Sequence, residues 1–254
     1  MVSVIMPTYN AGNFLSATID GILNQTYQHL ELLITDDGST DLATLKTLKD
    51  YSEKDPRVKV EYLSGNNGPG VARNKSIERA QGRYIAFCDS DDCWFADKLE
   101  RQIRFMTERQ CALSYTSYIL VDDDGQEVGF NTAPAYMTFN KLKCDNKIGC
   151  STAIYDVKML GKKYLMPHIR KRQDWGLFLT IMRDYKKKAY GLQEPTVYYR
   201  MRSHSVSSNK LGLVKYNIRI YQEVLGFSKP KSVFYFTFIH DFIFFFMNEI
   251  FFNF

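Results

Sequence analysis

Residues 82–92 read GRYIAFCDSDD, a short apolar run that leads directly into three aspartates within four residues. The run has no alternation of polar and apolar side chains, which is typical of a strand buried on both faces of a sheet. Similar runs recur through the first 121 residues, and stretches of helical periodicity separate them. The predicted strands are residues 2–6, 30–35, 58–63, 84–88 and 112–121.

This alternation of strands and helices predicts an α/β fold, in which a Rossmann-like, mostly parallel sheet is flanked by helices. From residue 122 the alternation stops, and residues 129–150 show no clear period. Beyond them the pattern predicts a helix near residues 175–183, short strands at 188–192 and 196–200, and a further helix at 211–227. No internal repeat or long linker divides the chain, so one domain with an appended C-terminal region is the economical interpretation.

Composition narrows the class of protein. The chain has 254 residues, 45% of them hydrophobic, which is enough for a large buried core and excludes a disordered, collagen-like or disulfide-stabilised small protein. The five cysteines are odd in number and lack CxxC spacing, which indicates reduced thiols in a cytosolic protein.

The net charge of +5 combines 13 basic and 20 acidic residues in 1–127 with 20 basic and 8 acidic residues in 128–254. The basic half suits anions such as phosphate or lipid headgroups, or is simply a solvated surface.

Four polar loops follow the first four predicted strands, and ligands of open parallel sheets lie at the carboxyl ends of strands. We therefore expect the loops to converge into one polar cleft. The aspartates of residues 89–92 form either a solvated turn or a set of hard oxygen ligands for Mg²⁺ or Mn²⁺, and the buried strand before them favours the second interpretation. The loops are residues 7–10 (PTYN), 36–41 (DDGSTD), 66–74 (NNGPGVARN) and 89–92 (DSDD).

Two common nucleotide-binding motifs are missing. No GxGxxG follows the first strand and no GxxxxGK[ST] occurs anywhere, which argues against a nicotinamide dehydrogenase and a P-loop enzyme. The chain also lacks a recognised nucleic-acid-binding module, so nucleic acid is not an expected partner.

Taken together, five motifs in this order resemble family-2 glycosyltransferases of the GT-A fold, most closely over residues 2–121 and less tightly to about residue 209. The resemblance implies a GT-A domain over residues 1–209, with a nucleotide-binding half at 1–121 and an acceptor half at 122–209. The motifs are VSVIMPTYN (2–10), LLITDDGSTD (32–41), NNGPGVARN (66–74), GRYIAFCDSDD (82–92) and RQDW (172–175).

The resemblance also assigns donor-binding residues. Asp89-Ser90-Asp91 matches the family's DxD motif, which implies that Asp91 binds Mn²⁺ or Mg²⁺ and that Asp89 binds ribose or the metal. By the same likeness, the uracil ring would be held by Pro7, Tyr9 and Asp37. Arg73 would lie near the base or the phosphates.

The resemblance further implies that Asp174 is the catalytic base, although a bare aspartate at this position is more often a helix N-cap. The family often has Glu-Asp here, and this chain has Gln173-Asp174. The family's YRxHxxSxS loop is matched by residues 199–207, YRMRSHSVS, with Arg202 where histidine is common and His204 two residues later.

The implied function is inverting transfer of a hexose from a UDP-sugar to a hydroxyl of a growing surface polysaccharide on a polyprenyl-diphosphate carrier, such as O-antigen, capsule or exopolysaccharide. Two alternatives stay open at this point. One is a sugar-nucleotide pyrophosphorylase, although the first-strand loop lacks the Gly-rich, Arg-containing sequence that it needs. The other is a membrane-associated protein that binds sugar nucleotides without turnover.

The C-terminal region, residues 210–254, is predicted to be helical and membrane-associating. Residues 232–254 read SVFYFTFIHDFIFFFMNEIFFNF and hold ten of the chain's 18 phenylalanines. His240 and Asp241 interrupt the run, which favours a helix lying in the membrane interface over one that spans it, with Lys229 and Lys231 meeting anionic headgroups. A core helix or a dimer contact is the alternative. We therefore expect a cytoplasmic protein held peripherally on the inner face of the cell membrane.

Overall fold

The computed structural model describes residues 1–201 and 210–237, without the side chains of residues 210 and 211. One mixed sheet forms the centre of the molecule, and helices cover both of its faces. The strands are β1 (Val2–Thr8), β2 (Leu30–Asp36), β3 (Val58–Tyr62), β4 (Tyr84–Phe87), β5 (Cys93–Trp94), β6 (Leu113–Val121), β7 (Glu127–Asn131), β8 (Tyr136–Met137), β9 (Ile154–Asp156) and β10 (Ala189–Arg200). The helices are α1 (Phe14–Leu23), α2 (Leu42–Lys54), α3 (Pro69–Arg79), α4 (Lys98–Arg109), α5 (Phe139–Cys144), α6 (Val157–Leu160), α7 (Gln173–Tyr185) and α8 (Lys210–Glu223), and residues 229–237 are also helical.

The sheet order confirms the predicted α/β fold. Its strands run β3-β2-β1-β4-β9-β6-β10-β5, with β7 on β6 and β8 on β10. The first four strands of the chain pair in parallel, with β1 between β2 and β4 and with β3 at the edge. Their carboxyl ends therefore lie along one edge, as the loop sequences require.

The second half of the sheet is less regular than the pattern predicts. Strand β9 has only three residues and inserts antiparallel between β4 and β6, where the sequence shows no strand signal. The two strands predicted at 188–192 and 196–200 form one strand, β10, whose pairing with β6 shifts register on either side of Pro195. Proline cannot donate a backbone hydrogen bond, so Pro195 interrupts the regular pairing. The sequence pattern therefore shows two short strands where the structure has one.

Two apolar clusters lie on opposite faces of the sheet. Alternate residues of β1 point into different clusters, with Ile5 in one and Val4 and Met6 in the other. This explains the continuous apolar run, because a central strand is buried on both faces. Helix α8 ends at Glu223, four residues before the predicted end, and it places Ile220 and Tyr221 in the Ile5 cluster.

The five cysteines are free thiols, as predicted. Within residues 1–201 and 210–237 we find no helix with the length and hydrophobicity needed to cross a membrane. Two predictions lie wholly or partly outside the described residues: the placement of Arg202 and His204, and the part of the predicted interfacial helix (232–254) that covers residues 238–254.

Candidate active site

The loop after β1 is joined to the loop after β2 through Asn10. The Asn10 side-chain oxygen accepts hydrogen bonds from the backbone N–H groups of Thr40 (2.9 Å) and Asp41 (3.0 Å). The Asn10 backbone N–H donates in turn to the hydroxyl of Ser39 (2.8 Å). Pro7 is buried within β1, and Tyr9 is exposed at the mouth of this loop pair with 46% of its surface accessible. These two residues therefore lie together at one edge of the sheet, where the uracil site is predicted.

Asp37 joins the second loop to the third. Its carboxylate is only 3% exposed and accepts hydrogen bonds from the backbone N–H groups of Asn67 (2.9 Å) and Gly68 (2.6 Å). The next residue, Gly38, has a φ of 78°, and a Cβ there would lie 2.7 Å from the backbone of Gly65. Only glycine permits this close approach. Asp37 thus positions the third loop, and its contact with a uracil ring stays a prediction.

Arg73 and Asp89 form a partly buried ion pair that connects α3 to the aspartate loop. The Arg73 guanidinium donates to the Asp89 carboxylate, and Arg73 is 5% exposed. Burial lowers the pKa of Arg73, but the charge and hydrogen bond of Asp89, together with the nearby Cys150 and Asp174, outweigh burial and hold the pKa above the ordinary value. Arg73 is therefore charged, and it neutralises part of the negative charge of the aspartate loop.

Ser151 and Arg200 hold the aspartate loop from the acceptor half. The Ser151 hydroxyl donates to the buried Asp92 carboxylate and accepts from the backbone N–H of Asp89 (3.0 Å). The backbone N–H of Arg200 donates to the other oxygen of Asp92 (2.9 Å), and its side chain donates to the carbonyl oxygen of Asp91 (3.2 Å). Burial, and then the neighbouring carboxylates Asp89 and Asp91, raise the pKa of Asp92 well above its ordinary value. Asp92 therefore serves to hold the loop in place. The side chains of Asp89 and Asp91, in contrast, are partly exposed.

Asp174 lies in the first turn of α7, and Arg172, the residue that precedes this helix, has a φ of 65°. The side-chain amide of Asn146 donates to the Asp174 carboxylate (3.4 Å). Burial raises the pKa of Asp174 above its ordinary value, and the charge of Arg73 offsets part of that rise. The charges of Arg73, Asp89 and Asp174 are therefore close enough to act on one another, as expected for residues that line one polar cleft.

The segment before Asp174 is bound to α3. The side-chain amide of Asn74 donates to the carbonyl of Met166 (2.9 Å) and accepts from its backbone N–H (2.8 Å). A Cβ on Gly70 would lie 3.1 Å from Cγ of Gln173, so this glycine lets α3 and the start of α7 approach closely. The position of Asp174 is consequently fixed relative to helix α3, which carries Arg73.

Several buried polar atoms in this region have no hydrogen-bond partner. Within the described residues they include the Thr8 hydroxyl, Nε of Arg73, Nε of Arg172 and Oε1 of Gln173. Buried polar groups in proteins are nearly always paired. Two of these atoms belong to the loop residues Thr8 and Arg73, and two belong to Arg172 and Gln173 at the start of α7, which indicates a site for a polar ligand between the loops and this helix.

No group of three or more His, Cys, Asp or Glu side chains is arranged to hold a metal within the part of the chain that the structure describes. Magnesium sites that act on diphosphates use one or two carboxylates and complete the coordination with substrate phosphates and water. Asp89 and Asp91 lie in one loop, and both carboxylates are partly exposed. They therefore provide the one or two hard oxygen donors that such an ion needs from the protein.

Residues 3–165 match the sequence model of glycosyl transferase family 2. The chain belongs to this family. Its relatives include TuaG of Bacillus subtilis, a glycosyltransferase named for teichuronic acid biosynthesis, which is 43% identical over 88% of both chains. The glycosyltransferase is also 39% identical to WfgD of Escherichia coli, over 85% of this chain and 83% of WfgD. WfgD is named as a β-1,3-glucosyltransferase that uses UDP-Glc and α-D-GlcNAc-diphosphoundecaprenol.

Solved structures confirm the GT-A fold of this glycosyltransferase. S. aureus TarS 1–349 in complex with UDP-GlcNAc superposes with a TM-score of 0.70 at 22% identity, over 94% of this chain and 71% of that chain. The mannosyltransferase PcManGT from Pyrobaculum calidifontis, in complex with GDP-Man and Mn²⁺, superposes with a TM-score of 0.63 at 17% identity, over 94% of this chain and 69% of that chain.

The sequence does not predict which residues of the glycosyltransferase hold the loops of the site in place. Ser151 lies in a 3₁₀ turn, Cys150–Thr152, within a stretch that carries no motif. Asn74 ends the quoted NNGPGVARN loop, but its partner is 92 residues away. Arg200 was visible in the YRMRSHSVS stretch, yet nothing in that pattern indicates that it contacts Asp91.

Proposed function

We propose that this chain is an inverting, metal-dependent glycosyltransferase that moves a hexose from a UDP-sugar to a hydroxyl of a polyprenyl-diphosphate-linked saccharide, during synthesis of a surface polysaccharide. The observation that carries the proposal is the placement of Asp174, partly buried and with a raised pKa, beside the Arg73–Asp89 pair. The substrates named for WfgD and the surface-polymer name of TuaG support the choice of donor and acceptor.

In this mechanism Asp174 accepts the proton of the acceptor hydroxyl while that oxygen attacks the anomeric carbon. The new C–O bond forms on the face opposite the leaving group, and the bond from the anomeric carbon to the diphosphate oxygen breaks. An α-linked donor therefore gives a β-linked product. The raised pKa of Asp174 makes its carboxylate a stronger base than an exposed aspartate.

On the donor side, Pro7, Tyr9 and Asp37 would hold the uracil ring, and Arg73 would contribute its unpaired Nε–H toward the phosphates. Asp91 and Asp89 would hold Mn²⁺ or Mg²⁺. Such an ion, when bound, offsets negative charge on the departing diphosphate. The PcManGT complex with GDP-Man and Mn²⁺ supports this choice of metal.

The substitution Asp174→Asn tests the base. We expect the transfer rate to fall by about 10²–10⁴-fold, because the amide cannot accept the proton. The affinity for UDP should stay within about twofold, since Asp174 contacts the acceptor rather than the donor. Asp184→Asn, in the last turn of the same helix, is the matched control and should keep full activity.

The anomer of the product, determined by nuclear magnetic resonance, checks the inversion. Full turnover by Asp174→Asn would refute the assignment of the base. A wild-type protein that binds UDP-sugars but transfers nothing would favour the non-catalytic alternative.

The substitution Asp91→Ala tests the metal. We expect calorimetric titration with UDP to give binding that requires Mn²⁺ in the wild type and is lost both with a chelator and in Asp91→Ala. Asp97→Ala removes a half-exposed carboxylate at the start of α4 and should bind like the wild type. Metal-independent binding that Asp91→Ala leaves unchanged would contradict the role of Asp91.

We also propose that the protein works at the inner face of the cell membrane, where a polyprenyl-diphosphate acceptor is anchored. The basic second half of the sequence and the aromatic C-terminal region support this location.

A further inference from the structure

Lysines lie against aromatic rings on and around helix α5. The Nζ atoms of Lys141, on α5, and Lys188, just before β10, lie 4.3 and 4.2 Å from the centre of the Tyr136 ring. Tyr136 is itself exposed, as are both lysines. Two cations from distant parts of the sequence therefore share one exposed ring.

The same arrangement continues on the helical residues 229–237. Lys143, also on α5, lies 5.2 Å from the centre of the Tyr235 ring, and Lys231 lies 4.3 Å from the centre of the Phe227 ring. The rings of Tyr235 and Phe227 contact each other with 5.5 Å between their centres. We call the six residues that form this patch the lysine–aromatic surface: Tyr136, Lys141, Lys143, Lys188, Lys231 and Tyr235.

The four lysines of this surface have no ion-pair partner within the described residues, whereas two lysines of α2 are paired. Lys46 contacts Asp50 at 2.5 Å and Lys49 contacts Glu53 at 3.9 Å. Unpaired lysines beside one another repel, so the surface keeps a positive potential that an anionic partner can neutralise.

Exposed apolar side chains border the lysines. Phe234 and Val233, the two residues directly before Tyr235 in the same helical segment, are 71% and 43% exposed. Aromatic rings with lysine neighbours are favoured at the boundary between lipid headgroups and acyl chains, where the ring is buried and the ammonium group stays hydrated. Nucleic acid would also attract the charge, but it would leave these apolar side chains in water.

The lysine–aromatic surface adjoins the proposed base. The indole N–H of Trp175, the residue after Asp174, donates to the carbonyl of Leu142 on α5 (2.7 Å). Asn146, just beyond α5, contacts Asp174. A surface that binds α5 to a bilayer therefore holds Asp174 close to that bilayer.

We infer that the lysine–aromatic surface docks the folded domain on a bilayer that contains anionic phospholipids. The biological role of this docking rests on the proposed function, because docking would bring Asp174 to a lipid-linked acceptor. The contacts and charges of the surface stand without it.

The test is co-sedimentation of the full chain with vesicles of about 70% phosphatidylcholine and about 30% phosphatidylglycerol at about 0.1 M salt. The variant carries Lys141→Gln, Lys143→Gln, Lys188→Gln and Lys231→Gln. Each lysine near such a surface contributes about fivefold to the partition coefficient, so we expect the four substitutions together to lower it at least about 50-fold. Wild-type binding should also weaken as salt rises to about 0.5 M.

The matched control carries Lys46→Gln, Lys49→Gln, Lys75→Gln and Lys158→Gln, which remove the same charge from exposed sites elsewhere. We expect its partition coefficient to stay within about threefold of the wild type. Equal losses in both variants would mean that net charge alone attracts the protein. Unchanged binding in the first variant, or equal wild-type binding to pure phosphatidylcholine, would mean that another segment makes the contact. Each of these three results overturns the inference.

Sugar transfer to a detergent-solubilised acceptor separates this inference from the proposed function. The vesicle experiment needs no donor, and the transfer assay needs no bilayer. We expect the first variant to keep its transfer rate in detergent, which also shows that it is folded. A loss of transfer there would overturn the assignment of these lysines to membrane docking alone.

Discussion

Lys98 is fully buried beneath the turn that carries Ser151. Its ammonium nitrogen donates to the side-chain oxygen of Gln102 (2.6 Å) and to the carbonyl of Thr152 (3.4 Å), with no carboxylate partner in the described chain. Burial lowers the pKa of Lys98 from 10.5 to about 7. We predict that Lys98→Met changes how the stability of the protein depends on pH.

The sign follows from the protons bound in each state. In the unfolded chain Lys98 has a pKa of about 10.4, so between pH 7 and about 10 the unfolded state holds a proton that the folded state lacks. The free energy of unfolding of the wild type therefore rises with pH in this window, by up to about 1.4 kcal/mol per pH unit from this group. Lys98→Met removes the titration, and its lost hydrogen bonds cost the same at every pH.

The assay is urea unfolding at pH values of about 7.5, 8.5 and 9.5. Relative to Lys98→Met, the wild type should gain about 2 to 3 kcal/mol of unfolding free energy between the first and last pH. Arg104→Met removes an exposed cation from the same helix and should follow the wild type at every pH. A constant difference between the wild type and Lys98→Met would show that Lys98 is charged in the folded protein and refute the reasoning.

Two further predictions concern residues that hold the site. Ser151→Ala leaves a buried carboxylate without its hydroxyl donor, so we expect a loss of about 1 to 3 kcal/mol of unfolding free energy and weaker UDP binding with Mn²⁺ in calorimetry. Unchanged UDP affinity would count against Ser151 as a positioning residue. Asn74→Ala removes both hydrogen bonds to Met166, which should cost about 2 kcal/mol in urea unfolding and lower the transfer rate more than the donor affinity. Equal losses of rate and affinity would show that this link does not act through the position of Asp174.

The first half of the fold could be predicted because its signals are local. The central parallel strands are largely apolar runs, the edge strand β3 alternates apolar and polar residues, and each strand ends in a polar loop whose position follows from the topology. The convergence of Asp37, Arg73 and Asp89 was predictable for the same reason. The resemblance to a family added Asp174, which no local pattern distinguishes from a helix cap.

The remainder depends on contacts between distant segments. Strand β9 is three residues long, too short for a periodic signal, and it exists because β4 and β6 offer hydrogen bonds on either side. Ser151 and Asn74 are ordinary polar residues until the fold gives them partners 59 and 92 residues away. No composition or spacing rule indicates such pairs.

The hydrogen bonds of Ser151 and Asn74 also limit how this enzyme can be recombined with its relatives. In the proposed function residues 122–209 bind the acceptor, so they are the part to exchange when a new polysaccharide linkage is needed. Yet they also supply the hydroxyl that holds the aspartate loop and the backbone segment that fixes α3. Exchanging acceptor halves therefore preserves donor binding only when the incoming half brings equivalents of Ser151 and of the Met166 backbone, so the two substrate specificities are coupled through the architecture of the cleft.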